Sequence, residues 1–346
     1  MIKDEPLQSD RLTLFRSSSE DTANTFSQDV LNGLTSSPKQ LLPKYFYDKL
    51  GSRLFDAICY LPEYYVTRDE DEILHEKADQ IIGESKISPQ SNVNLIELGS
   101  GSSDKTRYLI EALLYQNPSL RYLPIDISLT SLEHSSKELL QAYPMLKITA
   151  YATDYFTALH ELAKYDSSLQ QTGQRNIAIF LGSSIGNLDL DESRTLLLAM
   201  RGVLQPEDSF FIGADLKKST DILLPAYNDA LGVTAAFNLN LLVRINRELE
   251  ANFDLNKFEH RSIYNENLSR IEMHLFSLET QIVKIKSLDL EVHFDKGESI
   301  HTENSYKFDL GTLSTLALET GFHLTKTWFD KHHRFSFNLF TAIERD

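Results

Sequence analysis

Three short segments carry groups able to hold a nucleoside at the ends of predicted strands. Glu97-Leu98-Gly99-Ser100-Gly101-Ser102-Ser103-Asp104-Lys105-Thr106 reads as a glycine-containing turn between a strand and its helix, a place where backbone can approach a bound nucleoside closely. A phosphate-binding loop would need glycine where Asp104 precedes Lys105-Thr106, and a dinucleotide loop would want its third glycine at the same position. A carboxylate there would face the phosphates, so a nucleoside without phosphates fits better. Asp126 ends Leu123-Pro124-Ile125-Asp126, where a carboxylate can accept both ribose hydroxyls. Asp154 ends Ala152-Thr153-Asp154-Tyr155, placed to read an adenine amine while Tyr155 offers an aromatic face. One aspartate after a strand is most often a helix cap, and tight turns use Gly and Ser for purely structural reasons. The glycine turn followed in order by two strand-end acids points instead to S-adenosylmethionine.

The elements that must position these groups follow from hydrophobic period. Five strand-sized apolar runs, Val93–Leu98, Leu120–Ile125, Leu146–Ala150, Ile177–Leu181 and Phe210–Ala214, alternate with segments able to form crossover helices, such as Asp104–Tyr115 and Leu129–Ala142. That alternation predicts an α/β fold with a parallel, doubly wound sheet and a ligand beyond the strands' carboxyl ends. Asp29 to Leu74 is helical in pattern and rich in aromatics, while the polar stretch 1–26, ending in Ser17–Ser19, reads as a loosely held arm. Beyond Leu216 a helical stretch reaches Arg247 and alternating segments begin. Val283 and Ile285 occupy odd positions but Leu288, Leu290, Val292 and Phe294 even ones, which predicts a turn or bulge near Ser287. Thr312–Thr320 reads as a helix, and Phe322–Trp328 with Phe335–Ile343 as an antiparallel pair.

Composition bounds the partners. The 346 residues, 41% hydrophobic and 24% charged, belong to a folded globular chain. Lys and Arg total 34 against 50 Asp and Glu, a net charge of −16 that repels nucleic acid and anionic membrane surfaces and suits a cationic sulfonium. Cys59 is the only cysteine, so no intrachain disulfide or multi-thiolate zinc site can form. His260, His274 and His301 share no helical face or tight spacing, and no metal site is expected. The N-terminal stretch carries acids without an apolar run, and no segment approaches the ~18 apolar residues of a membrane span, so the expected location is cytoplasmic.

Leu42-Pro43-Lys44-Tyr45-Phe46-Tyr47-Asp48-Lys49-Leu50-Gly51-Ser52 and Leu61-Pro62-Glu63-Tyr64-Tyr65-Val66-Thr67-Arg68 resemble the opening of the histidine-specific N-alpha-methyltransferases of ergothioneine biosynthesis. The resemblance continues through Glu97–Lys105, Leu181-Gly182-Ser183-Ser184-Ile185-Gly186-Asn187 and Ile300-His301-Thr302-Glu303-Asn304-Ser305-Tyr306-Lys307, and leaves only the N-terminal arm unmatched. It implies a class I S-adenosylmethionine-dependent methyltransferase domain, Rossmann-like, over 71–216 and 307–346, with a discontinuous α+β substrate-binding domain over 27–70 and 217–306 and the arm at 1–26. It further implies Gly99, Lys105, Asp126, Asp154 and Tyr155 as cofactor residues, with Tyr47 acting on cofactor and catalysis from the substrate domain. Asn187 and Tyr227 are implied for the amine and carboxylate of the amino acid, and Tyr64, Met273, Glu303 and Ser305 for its side chain. In a strand Glu303 and Ser305 face the same way, and a carboxylate beside a hydroxyl can fix an imidazole N–H; the competing reading is a solvated sheet face. Met273 by itself would be read as core.

The expected reaction is transfer of methyl groups from S-adenosylmethionine to the α-amine of L-histidine, as many as three times, giving hercynine, by a monomer without a metal. Two rivals remain at this stage: methylation of another aromatic amino acid such as a tryptophan derivative, and a catalytically silent adenosyl-ligand sensor on the same fold.

Overall fold

The computed structural model describes residues 10–16, 19–88, 91–117, 119–166, 169, 171 and 173–344, with backbone alone for 19–24. In chain order its first elements are β1 (Leu12–Arg16), α1 (Ser19–Thr35), β2 (Lys39–Gln40), α2 (Lys49–Cys59), α3 (Tyr65–Glu84), β3 (Asn92–Leu98) and α4 (Thr106–Gln116). Next come β4 (Leu120–Asp126), α5 (Leu129–Ala142), β5 (Lys147–Ala152), α6 (Tyr155–Tyr165), β6 (Gln174–Phe180), α7 (Leu190–Val203) and β7 (Ser209–Asp215). Then follow α8 (Thr220–Tyr227), α9 (Val233–Leu249), β8 (Phe258–Asn265), β9 (Arg270–Ser277), β10 (Gln281–Ile285), β11 (Leu290–Phe294) and β12 (Ser299–Tyr306). The chain ends with α10 (Leu310–Glu319), β13 (Phe322–Phe329) and β14 (Phe335–Ala342). Two compact units result: Met1–Ser18, Arg68–Leu216 and Phe308–Asp346 make the first, Ser19–Thr67 and Lys217–Lys307 the second.

The first unit is built on an eight-stranded sheet in the order β1-β5-β4-β3-β6-β7-β14-β13. Its six strands from β1 to β7 are parallel, and β14 and β13 close one edge antiparallel. Residues such as Leu95, Ile96, Leu98, Ile177, Ile179, Phe210 and Ile212 are buried without alternation, as expected of strands covered on both faces. Strand order runs outward from β3 through β4 to β5, then returns to β6 on the other side of β3. The loops leaving β3 and β6 therefore adjoin at the carboxyl ends, the switch point where doubly wound sheets bind ligands.

The loose arm expected over 1–26 is corrected by β1, which pairs in parallel with β5 from Leu12↔Ile148 to Arg16↔Ala152 and buries Leu14. Arg11 pins the strand by donating to the carbonyls of Leu140, Tyr143 and Pro144. Helix α1 begins at Ser19, inside the stretch taken for the arm. Residues 1–9, Ser17 and Ser18 lie outside the described residues.

In the second unit a four-stranded sheet, β2-β12-β9-β8, packs with α8 and α9, and β10 and β11 form a separate hairpin. The parity slip near Ser287 is a 3₁₀ turn, Lys286–Leu288, closed by Asp289 at φ 47°. A second irregularity was not anticipated. Between β12 and β9 the register passes from His301↔His274 to Glu303↔Met273, leaving Thr302 as the extra residue of a bulge. Thr302 donates to the Met273 carbonyl at 3.0 Å, which anchors it. Before the bulge Ile300 and Thr302 are buried; after it Glu303 and Ser305 are. Inward parity thus switches from even to odd, as a one-residue bulge requires.

One close approach in the first unit constrains sequence strongly. A Cβ built on Gly213 of β7 would overlap Glu70 Oε1 and lie 3.0 Å from the Phe335 ring. Gly213→Ala is therefore expected to destabilise the protein by ~1–3 kcal/mol, as overpacking of a filled interior does. Urea unfolding of the single variant and of its combination with Glu70→Ala checks this: the two losses should be non-additive, since the second removes the atom in the way.

Candidate active site

In the first unit, three acids tie down loops at the carboxyl end of the sheet: Glu70 and Glu97, both buried, and Asp126, half-buried. Gly99 leaves β3 at φ 68° and donates from its N–H to the Ile125 carbonyl at 2.8 Å, stitching the turn to β4. Its missing side chain also makes room for Tyr155, since a Cβ there would stand 2.8 Å from the Tyr155 hydroxyl. Asp126 closes the turn: Oδ2 accepts from the Gly101 N–H at 2.9 Å and Oδ1 from the Ser128 N–H at 2.8 Å. Burial raises its pKa against these two bonds. Glu97, fully buried under the turn, accepts from Thr106 at 2.7 Å and from the Tyr122 hydroxyl, and burial pushes its pKa up to about 8. Tyr155 starts α6 edge-on to Phe180, its pKa raised by burial.

Asp154 is exposed and caps α6, accepting from the Thr157 N–H at 3.0 Å and the Thr157 hydroxyl at 2.7 Å. The helix-cap role weighed for it in sequence is thus present, with an adenine contact left as a proposal. Lys105 pairs with Glu70, a fully buried residue of α3 that also accepts from the Gly182 N–H at 2.9 Å. Sequence gave no signal for Glu70, which sits among acids in a polar helical stretch. Gly182 and Ser183 take φ 71° and 55°, and the Ser183 hydroxyl accepts from the Asp215 N–H at 2.8 Å. Asn187 ends the following 3₁₀ turn half-buried, and its side chain has no hydrogen-bond partner among the described residues. Glycines that let backbone come close, a carboxylate ending β4 and an aromatic ring beside Gly99 fit an adenosyl group without phosphates. Among the described residues no cluster of metal-ligating side chains occurs.

The second unit gathers the other expected residues. Met273 on β9 stands opposite Glu303 on β12, and both are buried. Tyr227, the last residue of α8, has its hydroxyl 2.7 Å from Ser305 Oγ. Its backbone carbonyl is 2.9 Å from His260 Nε2, while Asn238 Nδ2 lies 2.9 Å from His260 Nδ1. An amide donor on one ring nitrogen and a carbonyl on the other fix His260 as the neutral Nε2–H tautomer, and burial lowers its pKa accordingly. Tyr64 is buried edge-on to Tyr227 at 6.1 Å and to Phe55 at 6.3 Å. Tyr47 packs on Phe55 at 5.6 Å and Phe237 at 5.9 Å. Phe55, Phe237 and Lys307 join this set without having been singled out; Lys307 lies inside the motif that carried the resemblance.

Glu303 differs from the other buried carboxylates. It is 8% exposed, burial pushes its pKa up to about 8 with only the Lys307 ammonium acting the other way, and its carboxyl accepts no hydrogen bond among the described residues. A family model described as "Histidine-specific methyltransferase, SAM-dependent" matches residues 26–342. The chain belongs to this family. It is 39% identical over 312 residues to the histidine N-alpha-methyltransferase of Mycobacterium tuberculosis, covering 90% of this chain and 93% of that protein. Identity to the histidine N-alpha-methyltransferase of Mycolicibacterium smegmatis is 40% over 320 residues, covering 92% and 96%. Ergothioneine biosynthesis protein 1 of Schizosaccharomyces pombe is 29% identical over 271 residues, 78% of this chain and 34% of that longer protein. The protein is an S-adenosylmethionine-dependent methyltransferase with the class I α/β sheet, and neither a silent sensor nor a tryptophan-derivative enzyme is favoured.

Replacing Asp126 by alanine removes the acceptor for two backbone N–H groups and, if the expectation from the sequence holds, for the ribose hydroxyls of the cofactor. Each charge-assisted bond lost should cost roughly 1.5–3 kcal/mol of cofactor binding. Calorimetry with S-adenosylhomocysteine on Asp126→Ala and Asp126→Asn checks this. The asparagine variant, which keeps one oxygen acceptor, should fall between alanine and wild type.

Proposed function

We propose that the protein methylates the α-amine of L-histidine in successive steps up to the trimethylated betaine hercynine, a step of ergothioneine formation. The observation that carries the choice of histidine is the buried Glu303 carboxyl, which has no hydrogen-bond donor among the described residues. A ligand that enters beside it must bring the missing hydrogen bond. Imidazole does so in either protonation state of the acid: its N–H donates to the carboxylate, and its bare nitrogen accepts from the carboxylic acid. An indole has one N–H and no acceptor, and a phenyl ring has neither. Ser305 on the same face supplies a second polar contact, and Met273 opposite Glu303 closes the apolar side.

S-adenosylmethionine supplies a methyl group activated by its sulfonium, and the chain has no need to furnish a nucleophile. Gly99, Asp126, Asp154 and Tyr155 are assigned to hold its adenosine part and Lys105 its charged end. Asn187 and Tyr227 orient the substrate's amine and carboxylate, Tyr64 packs on its side chain, and a neutral α-amine carries the lone pair. Such a reaction depends chiefly on alignment. Tyr47 is the residue assigned to the amine: its hydroxyl can exchange a hydrogen bond as protons leave, and its ring can stabilise the growing cationic ammonium. The same reading has the enzyme act as a cytoplasmic monomer on a free amino acid, with no metal, nucleic acid or membrane involved.

Glu303→Ala should lower kcat/KM for histidine about 10- to 150-fold, the equivalent of roughly 1.5–3 kcal/mol, and barely change cofactor affinity. Discrimination against tryptophan should relax, because the truncated site no longer holds a carboxyl that an indole, lacking an acceptor nitrogen, can pair with only in its ionised form. Tandem mass spectra of the wild-type product should show three methyl groups, all on the α-nitrogen. A methyl on the imidazole, or equal proportional losses for histidine and tryptophan in Glu303→Ala, overturns the assignment.

A further inference from the structure

Tyr47 sits where the chain leaves a 3₁₀ turn, Pro43–Phe46, and enters α2, at φ −89° and ψ 49°. The Asp48 N–H donates to the Phe46 carbonyl at 3.0 Å, which closes an inverse γ-turn with Tyr47 at its centre. Such a turn aims its central side chain only if the chain on both sides is held. Helix α9 holds both sides. Phe237, Asn240, Arg244 and Arg247, three or four residues apart, share one face of it. Before the turn, Arg244 Nη1 donates to the Tyr45 carbonyl at 3.0 Å and Phe237 stacks on Phe46 at 4.5 Å. After it, the Asp48 carboxylate accepts from Asn240 Nδ2 at 2.8 Å and from Arg247 Nη2 at 2.6 Å. A third bond, from the Gly51 N–H at 2.7 Å, makes Asp48 the cap of α2. Burial works to raise its pKa, but the Gly51, Arg247 and Asn240 donors outweigh it and hold the carboxyl below its ordinary value.

One carboxylate thus ties together the turn, α2 and α9, and the rings that Tyr47 packs on belong to those two helices: Phe55 to α2 at 5.6 Å and Phe237 to α9 at 5.9 Å. Gly51 is glycine because α2 passes so close to the turn that a Cβ there would overlap the Phe46 carbonyl. We propose that Asp48 is a positioning residue for the reaction: by binding Gly51, Asn240 and Arg247 at once it sets where the Tyr47 side chain stands. The proposal rests on reading Tyr47 as the residue that meets the substrate amine, and it adds what holds that residue in place. A methyl transfer governed by alignment loses rate steeply when a group is misplaced by as little as ~1 Å. A residue that only kept the fold together would matter equally whether or not position 47 carried its hydroxyl, whereas a positioning residue matters through that hydroxyl.

The test is a double-mutant cycle of Asp48→Asn with Tyr47→Phe in the full chain, reading kcat and KM for histidine, with circular dichroism to establish folding. Asparagine is itself a good helix cap, so Asp48→Asn can keep the Gly51 bond while giving up the charge and the second carboxylate oxygen. It should lower kcat about 10- to 100-fold, with a smaller change in KM. In the Tyr47→Phe background the same substitution should lower kcat less than about threefold, because no hydroxyl is left to misplace. Folded Asp48→Asn with wild-type kcat, or with equal losses in the two backgrounds, overturns the proposal. Should Asp48→Asn not fold, Arg247→Met decides, since that side chain is half-exposed and its loss breaks the same network from the solvent side. A loss of kcat that shrinks in the Tyr47→Phe background then supports the proposal, and no loss or an equal one in both backgrounds overturns it. If Tyr47→Phe leaves histidine kinetics unchanged, the reading of Tyr47 has failed and the proposal with it; if Tyr47→Phe is impaired while Asp48→Asn is not, only the role of Asp48 fails.

Discussion

Burying a carboxylate in a protein interior costs several kcal/mol unless donors or cations replace the lost water, and this chain withdraws four from water, Glu70, Glu97 and Glu303 fully and Asp126 in part. Glu70 takes the Lys105 ammonium and the Gly182 N–H, Glu97 takes two hydroxyls, and Asp126 takes two backbone N–H groups. Apart from Tyr122, which lies within β4, each partner lies on a loop at the carboxyl end of the parallel sheet or on the helix that follows it. Satisfying the acids therefore fixes the loops: β3 to β4 through Asp126, the glycine turn to the loop after β6 through Glu70. Gly213 is glycine because the Glu70 carboxyl occupies the space a side chain would need. The fourth acid, Glu303, has no such donors among the described residues, and its position follows from a different device.

That device is the bulge at Thr302. In a regular strand, residues two apart share a face, so with Ile300 buried an unbroken β12 would turn Glu303 and Ser305 outward together. One extra residue, anchored on the Met273 carbonyl, reverses the parity and brings both inward with Lys307 following at the same period. Ile300 packs inward ahead of the bulge and the polar Glu303 and Ser305 after it, so a single strand buries an apolar side chain over its first half and polar ones over its second. Bulges at functional sites re-aim side chains in this way. His260 does the complementary work for α8, holding the Tyr227 carbonyl so that the tyrosine hydroxyl meets Ser305.

The periodic parts of this fold were legible in sequence and the singular parts were not. Five of the six parallel strands are apolar runs, which length and flanking turns identify, and Leu129–Ala142 appears as helix α5 over that same span. The glycine turn, Asp126 and the slip near Ser287 announced themselves through residue type or parity. Edge strand β1 escaped notice because only Leu14 of its five residues is buried and the surrounding composition is polar. Glu70 looked like one acid among many, since nothing local distinguishes a helical glutamate on the solvated face from one aimed at a glycine on a distant strand. The Thr302 bulge left no parity signal because the residues on either side of it are polar. Lys307 was equally silent: a lysine after a strand reads as surface until its two hydroxyl partners, one of them 80 positions away, are in place.

Glu97 and Glu303, the latter the acid proposed to meet the substrate, are both buried but differ in what surrounds them. Burial pushes both up to about 8, so a displaced titration alone does not distinguish them. Their donor inventories do. Glu97 already receives bonds from Thr106 and Tyr122, and Tyr122 is itself bonded to Ser103 at 3.0 Å, so the acid is enclosed in a network that leaves it nothing to offer a ligand. Glu303 is acted on by the Lys307 ammonium, which favours its charged form, and its carboxyl accepts no hydrogen bond among the described residues. An acid in that condition gains most from a partner carrying an N–H, and it penalises a partner without one by the full cost of a buried group left unpaired. Under the proposed role of Glu303, affinity for the right ring and rejection of the wrong one come from the same carboxyl, with no separate element needed for exclusion.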